Sequence, residues 1–102
     1  MDIHFEVKTQ SGKIIRTTQS HWELISKLKH PEIEGKEAEV KQCLSNPIEI
    51  RKSSEDNDVY LYYLPYMTYY ICVVTRHLNG DGFIITAYIT DKIKEGESIW
   101  KR

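Results

Sequence analysis

Cysteine, proline and glycine are all scarce in this sequence of 102 residues, at two, three and five copies. Two cysteines, Cys43 and Cys72, exclude a disulfide framework and a cysteine-rich zinc site. Each lies in an apolar run and reads as a buried thiol in a reducing compartment. An excess of charge of either sign is also missing. The formal net charge is −1, so no bulk field draws the chain to nucleic acid, and such binding would need a local patch. Long apolar runs are absent too. The longest, around Ile71 to Val74, is far too short to span a bilayer. The opening Met1-Asp2-Ile3-His4-Phe5 has neither the basic nor the apolar region of a secretory signal. The expectation is a cytoplasmic protein without membrane contact.

Cofactor signatures are lacking as well. There is no phosphate-binding glycine loop, no dinucleotide fingerprint and no metal-ligand spacing, so neither metal nor cofactor is expected. Asn79-Gly80-Asp81-Gly82 has too few carboxylates for a calcium loop and suits a hairpin turn. No Ser-His-Asp arrangement is supported.

What is present is strand pattern. At this length a single domain over residues 1–102 is expected, with one modest core. Ile3, Phe5 and Val7 alternate with polar residues, Thr9-Gln10-Ser11-Gly12 is a turn signal, and Lys13 to Thr18 resumes, which predicts an N-terminal hairpin. Ser20 with Glu23 forms a capping box for a helix over His21 to about Lys29, with Leu24, Ile25 and Leu28 on its inner stripe. A second helix covers roughly Gly35 to Leu44, burying Val40, Cys43 and Leu44 and pairing Glu37 with Lys41. Asn46-Pro47 stops it. Four strands follow: Ile48 to Arg51, Val59 to Leu64, Tyr70 to Leu78 and Phe83 to Thr90. Pro65 is expected to interrupt the second of these, with a turn over Tyr66 to Tyr69. In the last strand Phe83, Ile85, Ala87 and Ile89 point to the core, while Ile84, Thr86, Tyr88 and Thr90 point away. The tail suggests a short helical turn packed by Ile93, Ile99 and Trp100. The predicted fold class is α+β: an N-terminal hairpin and two helices packed on a four-stranded antiparallel sheet.

Several side chains have both a functional and a purely structural reading. His30, at a helix end before Pro31, either serves as general acid or base or donates to terminal carbonyls. Arg51 can grip a phosphate with its forked donors or form an ordinary ion pair. Tyr62, Thr86 and Tyr88 are candidates to share an exposed face with Arg51, and tyrosine suits stacking on unpaired bases as well as cross-strand packing. His21, Ser53, Arg76 and His77 are further polar candidates.

The segments His21-Trp22, His30-Pro31-Glu32-Ile33, Asn46-Pro47, Ile50-Arg51, Val59-Tyr60-Leu61-Tyr62-Tyr63 and Leu78 to Tyr88 together resemble the small bacterial and phage proteins of the barnase–EndoU–colicin–RelE-like nuclease superfamily. The resemblance spans about Thr18 to Trp100. It implies a toxin-like, metal-independent ribonuclease in which the 2′-hydroxyl attacks the adjacent phosphate. His30 would then be base or acid, Arg51 the phosphate clamp, and Thr86 with Tyr88 the hydroxyls beside the phosphate. His21, Ser53, Tyr62 and Arg76 would contact RNA. RNA is the implied partner, with an antitoxin-like protein or a second copy of the chain as the others. On the same scaffold, the alternative is a non-catalytic module binding protein or nucleic acid.

Overall fold

The computed structural model describes residues 2–102. The hairpin forms as the sequence predicts: β1 (Ile3–Lys8) and β2 (Ile14–Thr18) are antiparallel. Their turn closes through Thr9, whose N–H donates to the Lys13 carbonyl at 2.8 Å and whose hydroxyl accepts from the Lys13 N–H at 3.1 Å.

The first helix starts earlier than the capping box suggests. Helix α1 (Gln19–Glu23) is capped by Thr18, whose hydroxyl accepts from the His21 N–H. It then widens into a π-helical segment, Leu24–Lys29, ending on a His30 N–H to Ile25 carbonyl bond. That five-residue turn changes which residues face inward. Trp22, Ile25 and Ser26 are buried, while Leu24 is 37% and Leu28 75% exposed, so the stripe expected from ordinary helical spacing is broken. After a 3-10 turn (Pro31–Ile33), α2 (Glu37–Ser45) buries Val40, Cys43 and Leu44 and carries the expected Glu37–Lys41 ion pair at 3.0 Å.

The sheet corrects the predicted fold class. It has seven strands rather than four, and the fold is mostly β. After α2 come β3 (Glu49–Lys52), β4 (Val59–Tyr66), β5 (Tyr69–His77), β6 (Asp81–Thr90) and β7 (Glu97–Lys101). Their order is β1-β2-β6-β5-β4-β3-β7. The expected meander β3 to β6 is real, but the N-terminal hairpin joins its edge through a parallel β2–β6 contact. The tail, expected to be a helical turn, crosses to the opposite edge as β7, antiparallel to β3. Pro65 does not interrupt β4. It stays in the strand opposite Tyr70, and the turn shrinks to Met67-Thr68.

Three bulges shape this sheet. In β6 the register passes from Val74↔Thr86 to Thr75↔Ile84, leaving Ile85 unpaired. Parity therefore flips: Ile84 and Ala87 are buried in the main core, and Phe83 is 40% exposed. His21 Nε2 donates to the freed Ile85 carbonyl at 2.9 Å. The pairings likewise leave His4 extra in β1 and Ile99 extra in β7.

The main core lies between the helices and one sheet face, with Ile15, Trp22, Ile25, Ile33, Val40, Leu44, Tyr62, Val73 and Ala87 among its members. The sheet curls around these helices. The β1–β2 turn residues Gln10, Ser11 and Lys13 consequently line the same small cleft as Ile99 and Trp100 of β7, although those strands are opposite edges. The other sheet face carries a smaller cluster of Leu61, Tyr63 and Cys72, overlain in part by Ile93. No helix among the described residues is long and apolar enough to cross a membrane.

Candidate functional site

Strand register lays out the helix-free face as two rows. One runs Glu49, Tyr63, Cys72, Tyr88 across β3 to β6, and the next runs Arg51, Leu61, Val74, Thr86. Above the floor stand the loop after β3 and the segment before β7. Between them opens a cleft of about 530 Å³, lined by Ser53, Ser54, Glu55, Leu61, Val74, Tyr88, Glu95 and Gly96, with Val59 at its end.

Arg51 holds one wall of this cleft together. Its Nε donates to the Glu95 carbonyl at 2.7 Å and Nη2 to the Gly96 carbonyl at 2.8 Å, while Nη1 bonds the buried Glu49 carboxylate at 2.7 Å. Gly96 makes the approach possible. Its φ is +75°, and a Cβ there would overlap the Lys52 carbonyl. Each of the guanidinium's nitrogens thus bonds the protein, which leaves one N–H on each of Nη1 and Nη2.

Burial dominates the chemistry of the floor. It pushes the Cys72 thiol up to about 12 and raises the Tyr63 and Tyr88 phenols, with the nearby Glu95 carboxylate pushing each the same way. These groups stay neutral at ordinary pH, so the floor offers neutral hydroxyls and apolar surface. On the walls Glu55 and Glu95 form no ion pair among the described residues. Two carboxylates without an ion-pair partner among the described residues therefore rim a trough of mixed polar and apolar lining. No group of three or more metal-ligating side chains occurs among the described residues.

The remaining sequence candidates are dispersed. His30 lies beside β6, its ring 5.6 Å from that of Tyr88 and its Nδ1 3.5 Å from Glu32. Arg51 and Thr86 share a row but are separated by three strand spacings, about 14 Å. The Thr86 hydroxyl is buried without a partner among the described residues. Arg76 is paired with Asp56 at 2.8 Å. Ser53 lines the cleft and accepts from the Glu55 N–H at 3.1 Å. His21 is occupied by the β6 bulge. Tyr62, expected beside Tyr88, is on the opposite face: it pairs with Ile50 and Val73 in the main core, and burial pushes its phenol up to about 12.

Two groups had no functional reading in the sequence or only an open one. Glu55 and Glu95 sit in loops, where nothing in periodicity marks them. His77 closes an aromatic group on the helix side: its ring stacks on Tyr60 at 4.0 Å and 18°, and Nε2 lies 3.0 Å from the Tyr62 hydroxyl. Burial lowers its pKa to about 4. The signal for it was parity, since Ile71, Val73, Thr75 and His77 alternate onto the core face.

No protein-family model, no curated protein and no solved structure matches this chain.

Proposed function

We propose that this chain is a non-catalytic binding module whose helix-free cleft receives a cationic, partly apolar group: a lysine or arginine side chain of a protein partner. The pair of unpaired carboxylates, Glu55 and Glu95, over a floor of Leu61, Val74 and Tyr88 carries this reading. An arginine or lysine stem packs on apolar and aromatic surface while its charged head seeks carboxylates at the rim. Phosphate would meet the opposite field.

The ribonuclease reading asks more of the same residues. Cleavage by 2′-hydroxyl attack needs a base, an acid and a cation converging on one phosphate. Arg51 bonds Glu49 and two carbonyls, and His30 lies beside Tyr88 on β6, three strands away from the β3 that carries Arg51. Both placements weigh against that chemistry and in favour of binding.

The test is an NMR titration of the ¹⁵N-labelled chain with N-acetyl-arginine amide. Saturable shifts at Val74, Tyr88 and Gly96, lost when Glu55 and Glu95 are both changed to Gln, are expected. Shifts absent from the cleft, or unchanged in the double variant, would overturn the reading.

A further inference from the structure

The small cleft on the helix side, at the seam where the two sheet edges approach, is a second and independent feature. About 220 Å³ in volume, it is lined by Tyr60, Tyr62, His77 and Trp100, by Ile50 and Ile99, and by Gln10, Ser11 and Lys13 of the first turn. Three of its properties point to one kind of ligand. Its walls are flat and aromatic: Tyr60 is already stacked on His77, and Tyr60 and Trp100 keep part of their ring surfaces open. Its one cation, Lys13, forms no ion pair among the described residues, and its charge acts on His77. His77 Nδ1 has no hydrogen-bond partner among the described residues and is not sealed from solvent. The Tyr62 hydroxyl lies 3.0 Å from Nε2; in the tautomer in which it donates there, the neutral ring carries its proton on Nδ1 and offers a second donor.

We propose that this seam cleft is a binding site for a small planar aromatic carboxylate, its ring packed among Tyr60, Ile99 and Trp100 and its carboxylate meeting Lys13. The volume sets the size. It is below the roughly 300–1,000 Å³ of sites for drug-sized ligands, so it takes one ring and its substituent. The bulge at Ile99 contributes as well. It turns Ile99 and Trp100, consecutive residues, toward the same cleft, which regular alternation would forbid.

The test is to titrate the chain with benzoate and, separately, with its neutral counterpart benzamide, following the Trp100 indole N–H resonance and the amide of His77. Benzoate should produce saturable shifts at both with a dissociation constant in the millimolar range, and benzamide should bind more weakly. Lys13→Met should weaken benzoate about tenfold or more and leave benzamide unchanged; Lys13 is a half-buried turn residue without a salt bridge, and the remaining spectrum reports whether the variant is folded. The absence of saturable shifts, shifts confined to other parts of the chain, or equal benzoate affinity in the variant would each overturn the proposal.

Discussion

At the scale of single residues, the two side chains with the most distinctive chemistry act on stability. Arg51 neutralises Glu49, which is only 6% exposed. Removing the guanidinium strands a buried carboxylate and frees the segment before β7. Arg51→Ala should therefore lose about 3–5 kcal/mol of unfolding free energy, measured by urea denaturation. A change below about 1 kcal/mol would contradict the strut role. His77 gives a pH signature. Its folded pKa is depressed to about 4 from the ordinary 6.5, so the unfolded chain binds the proton more readily. The contribution is complete above about pH 6.5 and declines as pH falls toward 4. With the ring only half shielded, the full shift is discounted to about 1–2 kcal/mol. Thermal melts at pH 7 and 4.5 should show a smaller acid loss in His77→Gln than in the parent. Parallel losses would contradict the assignment.

At the scale of elements, much of the pattern was legible. Alternation in β1 and the apolar spacing of α2 marked those elements, because one face of each is buried and the other is not. Strands β4 and β5, buried on both faces at Leu61 to Leu64 and Ile71 to Val73, were marked instead by their runs of aromatic and β-branched residues. Places where the backbone departs from a regular period were not legible. The π-helical turn left Leu28 in solvent, and the extra residue at Ile85 exchanged Phe83 for Ile84. Ile25→Ala should thus cost about 2–4 kcal/mol while Leu28→Ser stays within about 0.5 kcal/mol, a contrast that ordinary helical spacing does not anticipate. Similar losses at the two positions would argue against the widened turn. The tail was misread because Ile99 and Trp100 are adjacent apolar residues, which suggests a helical turn when the bulge that reconciles them with a strand is not visible. Gly96→Ala tests how that tail is anchored. Its positive φ and the nearby Lys52 carbonyl predict a loss of about 2–4 kcal/mol, read by chemical denaturation. A neutral substitution would mean that the segment does not approach β3 as described.

At the scale of the whole molecule, the site was legible as residue types and illegible as an arrangement. His30, Arg51, Thr86 and Tyr88 were individually plausible, yet strand order decides whether they meet. The order sets Arg51 three strands from Thr86 and gives Tyr62 to the opposite face. The carboxylates that define the cleft lie in loops, where no period exists to reveal them. The seven-stranded sheet also has two outer strands, β1 and β7, and each carries a bulge. Bulges twist an edge away from regular pairing. Edge-to-edge association is accordingly disfavoured, and sedimentation should show a monomer; a dimer broken by a proline at Val7 or Ile99 would contradict this.

The central claim is that the helix-free face binds and does not cleave. Its most direct test is incubation of the purified chain with a mixed RNA in the presence of a chelator, beside His30→Ala. The RNA should remain intact with both proteins. Cleavage by the parent that disappears in His30→Ala would contradict the claim and restore a catalytic role to His30.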